Sequence, residues 1–291
     1  MRNFCQRLVF RLRHRSARRA DTPGGRMLVR VARRWQDSGD TVLFDLVPLA
    51  GGALPPFGAG AHIELELLGQ TARFALCNAP GDTQRYLIAV PCKHNGCAVS
   101  RGLHQLVRAG DVLQAGLPAS GFELARPARF SVLIAGDVGI ASLLGVAAQL
   151  AGSGAAFVLH YRGRSARDMA FLQYLSQCPY AARVSLHFSD GPPSQLLDID
   201  GVLAGPEPGK HLYLSGPDSF VGVVADAASA LGWRDSEVHC APAGRVPGRT
   251  PVPETALAGD EARFCARQEE EFAALVADGV IVPVGPQRQA R

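Results

Sequence analysis

The stretch RFALCN, residues 73–78, places a cation, an aromatic ring and an amide close together. A flavin needs a flat wall for its ring, hydrogen bonds for its edge, and cations or backbone N–H groups for its phosphate. Phe74 could supply the wall and Arg73 the cation. Because Phe74 and Leu76 would fit the core of a β-barrel equally well, this stretch alone leaves both interpretations open.

A candidate phosphate site follows the turn HNGCAVS, where Ser100 and Arg101 stand near the start of an expected helix. The backbone N–H groups at a helix N-terminus attract anions, and a nearby cation strengthens that attraction. This stretch therefore adds a hydroxyl and a guanidinium group to the flavin hypothesis.

A glycine-containing turn, GDVGIAS at residues 136–142, follows a long apolar segment. Gly136 and Gly139 stand between a strand and a helix, which is where parallel α/β folds bind phosphates. The GxGxxG fingerprint is incomplete, and Asp137 places a carboxylate beside any bound diphosphate. The alternative is a helix cap in which Asp137 or Ser142 satisfies backbone donors.

A second turn, LSGPDSF, ends a later strand and contains Gly216 and Pro217. In an open parallel sheet this turn lies at the same edge as the first one, beside the crevice that binds ligands. An ordinary strand-to-helix turn with Asp218 or Ser219 as the N-cap is the alternative.

Metal and hydrolase chemistry have no support in the sequence. The eight histidines form no HxxxH pair and no cluster with cysteine at ligand spacing, and no GxSxG sequence is present. The seven cysteines are Cys5, Cys77, Cys92, Cys97, Cys178, Cys240 and Cys265. No two of them form a CxxC pair, so reduced thiols are expected. No catalytic residue and no metal ligand is assigned.

The elements that would position the candidate residues change in character near residue 127. Residues 27–126 contain short apolar segments separated by Gly/Pro turns, and Ile63, Leu65 and Leu67 alternate with glutamates. This pattern predicts a flavin-binding type of antiparallel β-barrel.

Residues 127–240 contain apolar strands that alternate with helices expected at 141–154, 166–177 and 218–232. Strands that alternate with helices predict a doubly wound parallel sheet of the nucleotide-binding type. The expected fold class is therefore an all-β barrel followed by an α/β domain.

Residues 1–26 hold eight arginines and one acid, so the rest of the chain is mildly acidic although the formal net charge is +4. Such a leader could bind nucleic acid or anionic lipid, or be a transit peptide, a solvated tail or a mistaken start ahead of Met27. We expect it to be disordered and, without an aromatic-basic motif, not to bind nucleic acid. No signal-peptide core or membrane-spanning run occurs, which favours a cytoplasmic protein.

Taken in order, these features resemble the phthalate dioxygenase reductase and vanillate demethylase reductase family. The resemblance extends from about Met27 to Val238 and includes FGAGAHIELEL, SRGLHQLVRAGDVLQAGLPASGFEL and GWRDSEVH. It implies a barrel that binds FMN or FAD, an α/β domain that binds NADH, and electron transfer to an oxygenase partner or a separate carrier. In the family a plant-type 2Fe-2S ferredoxin domain follows.

The resemblance assigns cofactor contacts to individual residues. In the flavin strand, RxYSLCN in the family, Phe74 stands at the tyrosine and Ala75 at the serine, while Ala72 replaces the arginine. In the nicotinamide loop Asp137 replaces a glycine, and Ser215 replaces the cysteine of the CGP turn. The implied cofactor-binding residues are Arg73, Phe74, Ala75, Ser100, Arg101, His104, Gly136, Gly139, Arg164, Ser165, Ser215, Gly216 and Pro217.

Residues 241–291 begin as a Pro/Gly-rich linker and then resemble the segment of the ferredoxin domain just before its cluster loop. A 2Fe-2S cluster needs four ligands, usually cysteine thiolates, and the family's CxxxxCxxC is replaced here by GPQRQAR, so no cluster is expected. Two functions stay open. One is an NAD(P)H-dependent flavin oxidoreductase that passes electrons towards an oxygenase, and the other is a noncatalytic homologue that acts as a structural subunit of an oxygenase system.

Overall fold

The structure, a computed structural model, describes residues 25–67, 69–92 and 97–241. Within this part of the chain an antiparallel barrel is followed by a parallel sheet, and both belong to one compact unit. The fold class predicted from the sequence is confirmed.

Six strands form the barrel, in the order β4-β3-β6-β1-β2-β5. They are β1 (Arg26–Gln36), β2 (Thr41–Pro48), β3 (His62–Leu67), β4 (Gln70–Ala75), β5 (Tyr86–Pro91) and β6 (Val112–Gly116), with helix α1 (Ala98–Gln105) between β5 and β6. A bridge between Leu76 and Ile88 connects the chain after β4 to β5 and nearly closes the barrel. The alternation expected for β3 is confirmed, since its apolar side chains are buried and its glutamates are half-buried.

Five parallel strands form the second sheet, in the order β11-β10-β7-β8-β9. The elements are β7 (Phe130–Gly136), α2 (Ile140–Gly152), β8 (Phe157–Gly163), α3 (Leu172–Gln177), β9 (Val184–Phe188), α4 (Ile199–Leu203), β10 (Lys210–Ser215), α5 (Asp218–Ala230) and β11 (Val238–Cys240). β7 is buried over six of its seven residues, as expected for a strand that is covered on both faces.

The two faces of this sheet pack against different partners. On one face β7 and β8 share a core with α2 and with barrel residues such as Leu43 and Cys77. On the other face the sheet packs against α4 and α5 through Leu203, Val224 and Ala228. The barrel and the sheet are therefore joined by a continuous apolar core, which fixes the segment that follows β4 against α2.

Three local features differ from the predictions. The helix expected at 166–177 begins only at Leu172, because Phe171 has a φ of +64° and donates its backbone N–H to the Asp37 carboxylate. The short helix α4 was not expected. β1 begins at Arg26, one residue before the expected start of the barrel.

The basic leader at residues 1–24 and the segment 242–291 lie outside the described residues, so the predictions made for them stay predictions. In the described part of the chain, none of the helices has both the length and the apolar character needed to cross a membrane.

Candidate functional site

The candidate crevice lies at the carboxyl edge of the parallel sheet, between β7 and β10. These strands are neighbours, and Ala135 pairs with Ser215 at their ends. The chain passes from β7 to β8 on one side and returns to β10 on the other. This arrangement is a topological switch point, where open α/β sheets bind ligands.

Two turns approach each other closely at this switch point. A Cβ atom on Gly139 would lie 2.3 Å from the Ser215 carbonyl oxygen, and one on Gly216 would lie 3.0 Å from the Gly136 carbonyl oxygen. Position 139 therefore requires glycine, because a side chain would collide with backbone, and Gly216 leaves too little room for a Cβ atom unless its neighbours shift. The structure brings together five residues predicted from the sequence, Gly136, Gly139, Ser215, Gly216 and Pro217, and we call them the switch-point crevice.

Asp137 has a backbone conformation that favours glycine. Its φ is +49°, in the left-handed region that aspartate tolerates better than most residues do. Burial raises the pKa of Tyr161, and the negative charge of Asp137 raises it further. The loop therefore places a carboxylate beside the crevice, in a conformation that a glycine would adopt more easily.

Sequence reasoning missed two residues at the crevice, Phe220 and Arg162. A Cβ atom on Gly136 would lie 2.5 Å from Cδ1 of Phe220, so Gly136 also makes room for this ring. The Arg162 guanidinium lies over the ring, 5.8 Å from its centroid, a cation–π distance. Arg162 pairs with Gly136 across β7 and β8, and its place at a strand end was the available sequence signal.

A second group of residues surrounds a cavity of about 320 Å³ at the end of β8. It contains the predicted pair Arg164 and Ser165, and the Ser165 hydroxyl donates a hydrogen bond to Asp168 Oδ2 at 2.7 Å. Residues not predicted from the sequence also line this cavity: Gly39, Asp40, Arg167, Asp168 and Asp190. The cavity therefore mixes carboxylates with guanidinium groups and adjoins the hairpin between β1 and β2.

The predicted residues Ser100, Arg101 and His104 all lie on α1, which packs against β3, β4 and β5. Ser100 is buried, and its backbone N–H donates to Cys97 Sγ at 3.5 Å. His104 Nε2 lies 2.7 Å from the Val90 carbonyl oxygen, which requires this nitrogen to carry the proton. Burial lowers the pKa of His104, so the ring serves as a neutral link between α1 and β5.

The predicted residues on β4 point to two sides of the strand. Phe74 is only 5% exposed and pairs with Ile63, so its ring belongs to the barrel interior, the alternative that the sequence left open. Arg73 points the other way, where its Nε lies 3.3 Å from Glu64 Oε1. Ala75 is half-buried and packs against the core shared with α2. β4 therefore presents neither an aromatic face nor a hydroxyl there.

The segment that follows β4, residues 76–78, is held directly against the α/β domain. A Cβ atom on Gly145 of α2 would lie 3.3 Å from the backbone nitrogen of Gly60 and 3.7 Å from the Leu76 carbonyl oxygen. Asn78 is buried and organises the next turn, because its side chain donates to the Arg85 carbonyl and accepts from the Leu87 N–H. The family-like LCN residues therefore have structural roles in this chain.

The two cofactor types fit the described residues to different degrees. A pyridine nucleotide fits the position and the backbone of the switch-point crevice, where Arg162 supplies a cation and the Phe220 ring lies against Gly136 and Gly216. A flavin fits only in part, because α1 offers Arg101 and a helix N-terminus whereas β4 offers no stacking ring. Among the described residues, no group of three or more His, Cys, Asp and Glu side chains could hold a metal ion.

Comparisons with known proteins agree with this architecture. The vanillate O-demethylase oxidoreductase of Pseudomonas putida is 40% identical over 213 residues, which are 72% of this chain and 66% of the relative. The beta subunit of the heme-dependent oxidative N-demethylase of Ectopseudomonas mendocina is 35% identical over 232 residues, 79% of this chain and 74% of the relative. No family model matches the chain.

A solved structure of phthalate dioxygenase reductase superimposes with a TM-score of 0.70 at 30% identity, covering 74% of this chain and 67% of that one. The chain thus has the fold of a reductase with a flavin-type barrel and a nucleotide-type domain. It belongs to the phthalate dioxygenase reductase and vanillate O-demethylase reductase family, as the sequence motifs indicated. It spans 61–66% of the length of the vanillate O-demethylase oxidoreductases that it matches.

Proposed function

We propose that this protein is an NAD(P)H-dependent flavin oxidoreductase, the reductase component that passes electrons towards an oxygenase. The observation that carries the proposal is the close approach of Gly139 to Ser215 and of Gly216 to Gly136 at the switch point. The backbone of these turns, at the carboxyl edge of β7 and β10, is where diphosphates bind in this architecture. Membership of the family supports the same reading.

In this proposal each part of the site has a task. The switch-point crevice binds and orients the nicotinamide end of the nucleotide, and Arg164 and Ser165 contact its adenosine end. Arg101 at the start of α1 contacts the flavin phosphate region, Ser100 and His104 position the helix that carries it, and Arg73 and Ala75 border the flavin. FMN or FAD, if bound here, would supply the redox chemistry, namely a hydride acceptor for NAD(P)H and an electron donor for the next carrier.

The partner is proposed from the names of the relatives. One relative is a reductase subunit of a tert-butanol monooxygenase and another is a reductase subunit of a carnitine monooxygenase. An oxygenase component, or a separate electron carrier between the two, is therefore the partner that we propose. We also retain the expectations that this chain binds no 2Fe-2S cluster and acts in the cytoplasm.

A noncatalytic structural subunit is the second candidate, and specific observations favour it. Phe220 occupies space over two glycines of the crevice, and Phe74 is buried in the barrel. A chain that had lost its redox role would keep the apolar core and lose the ligand-contacting side chains in this way.

The two candidates differ in the absorbance spectrum of the purified protein. The proposed enzyme is yellow, or takes up added FMN or FAD, with about one flavin per chain, and it oxidises NADH with ferricyanide as acceptor. A colourless protein that binds neither flavin and does not oxidise NADH establishes the noncatalytic reading. Iron and acid-labile sulfide near one cluster per chain contradict the expectation about the cluster.

A further inference from the structure

The ring of Phe220 lies where a ligand would meet the backbone of the switch-point crevice. Its Cδ1 atom is the nearest neighbour of a Cβ placed on Gly136, at 2.5 Å, and lies 3.0 Å from one placed on Gly216. Both glycines belong to the turns that face each other across the crevice. The space that these glycines keep free of side chains is thus occupied by a side chain from α5.

The position of the ring is only partly explained by packing of α5. Val224 and Ala228 form the buried face of this helix, and Phe220 extends that face to the first turn. Phe220 is nevertheless half-buried. Beyond the apolar core, its ring contacts glycine backbone and the Arg162 guanidinium, which are groups that bind a diphosphate in other α/β proteins.

A nucleotide therefore competes with the ring for both contacts. A hydrogen-bonded pair between a guanidinium and a phosphate is stronger than a half-exposed cation–π contact. Arg162 thus gains by exchanging the ring for a phosphate, and the ring must leave the backbone of Gly136 when this occurs. A flip of a half-buried side chain on the first turn of a helix leaves the core around Val224 in place.

We propose that Phe220 is a gate that covers the switch-point crevice and is displaced when a pyridine nucleotide binds, with Arg162 exchanging the ring for the diphosphate. This inference rests on the proposed function, because it assumes that the ligand is NAD(P)H. The gate lowers the apparent affinity, since only the fraction of molecules with the ring displaced can bind. It is a positioning role, and Phe220 takes no part in the redox chemistry.

The test compares wild-type protein with Phe220→Leu and Phe220→Ala in calorimetric titrations with NADH. Leucine keeps most of the apolar contact with the core beneath α5, but it has no flat ring that could cover the glycines. Opening the gate is expected to lower the dissociation constant for NADH by at least about threefold. In steady-state assays the KM for NADH falls to the same extent while kcat stays unchanged.

Val223→Ala is the matched control, because Val223 lies on the same helix and is 57% exposed. It is expected to leave the NADH affinity and the KM unchanged. Melting temperatures of all variants establish that each is folded at the titration temperature. If Phe220→Ala is too unstable to titrate, Phe220→Leu alone decides the outcome.

An NADH affinity that is equal or weaker in the folded Phe220 variants overturns the gate. The proposed function is judged separately, by the flavin content and NADH oxidation of the wild-type protein. A wild-type protein that contains flavin and oxidises NADH, with variants of unchanged affinity, refutes the gate alone. A wild-type protein without flavin, together with no NADH binding by any variant, refutes both.

Discussion

The crevice between β7 and β10 and the strand β4 both carry residues that the family resemblance assigns to cofactors, yet the two regions are built differently. At the crevice, Gly139 and Gly216 bring two turns into close backbone approach, and Asp137 has a φ of +49°, a region that favours glycine. On β4, the ring of Phe74 is buried and Ala75 offers no hydroxyl. A ligand site built from backbone groups tolerates replacement of its side chains, whereas a site that depends on side chains is weakened by it.

The largest expected effect comes from closing the backbone site. Gly139→Ala places a Cβ atom 2.3 Å from the Ser215 carbonyl oxygen, and overpacking of this kind costs about 1–3 kcal/mol or more. Chemical denaturation should show a loss at the upper end of this range, and NADH binding should disappear. Gly222→Ala is the control, because nothing lies within 4 Å of its Cβ position on α5, and it should stabilise the protein by roughly 0.5–1 kcal/mol. Equal stabilities for the two variants would contradict the account.

Removing the charge at the crevice is expected to have the next largest effect. Asp137→Gly eliminates repulsion with the diphosphate and should tighten NADH binding by roughly 1–2 kcal/mol, for a screened pair near the surface. Asp137→Asn separates charge from conformation, because asparagine also tolerates the left-handed region. Calorimetry should therefore find most of the gain in both variants. Micromolar binding by the wild-type protein that neither variant improves would show that Asp137 does not oppose the ligand.

Restoring a hydroxyl group on β4 is expected to strengthen flavin binding. Ala75→Ser returns the family hydroxyl at a half-buried position, and one hydrogen bond contributes about 0.5–1.5 kcal/mol. The affinity for FMN or FAD, measured by quenching of flavin fluorescence, should rise accordingly while NADH affinity stays the same. Thr71→Ser on the same strand serves as the control. An equal gain in both variants would remove Ala75 from the flavin site.

The smallest expected effect is on the pH dependence of stability, and it comes from a pair of histidines in the parallel sheet. His160 Nδ1 lies 3.0 Å from His187 Nε2, and burial, with a contribution from His187, lowers the pKa of His160 from 6.5 to about 4. The unfolded chain then binds the proton first as the pH falls. The free energy of unfolding should decrease between about pH 6.5 and pH 4, by on the order of 1 kcal/mol once the partial exposure of the ring is taken into account.

Urea denaturation at a series of pH values checks this expectation. His160→Gln should make the dependence less steep in that interval, because it removes one of the groups whose pKa is lower in the folded state than in the unfolded state. A pH profile that is identical in wild-type protein and variant would show that the pair is not responsible.

Sequence patterns predicted the scaffold well because each pattern has a local cause. The alternation of Ile63 and Leu65 fixes which side of β3 is buried, and the apolar run of β7 requires cover on both faces. The predicted start of α3 was wrong because Phe171 has a left-handed conformation and donates its N–H to Asp37, which lies 134 positions away in the sequence.

Gly136 and Gly216 were predicted as site residues from their places at strand ends, and the structure brings them close together. Phe220 was not predicted, because its contact with Gly136 and Arg162 joins three separate elements. Phe74 shows the reverse case, since its residue type fits a stacking wall and a barrel core equally well, and only the burial distinguishes them.

A calorimetric titration of NADH into the wild-type protein tests the central claim most directly, namely that the backbone crevice still binds a pyridine nucleotide. The account predicts saturable binding of one NADH per chain, weakened by Asp137 and the Phe220 ring to a dissociation constant on the order of 0.1 mM, or roughly −5 kcal/mol. Gly139→Ala should abolish the signal. The account is contradicted if the folded wild-type protein gives no binding heat at NADH concentrations of several mM, well above about 1 mM. It is also contradicted if Gly139→Ala leaves the binding intact.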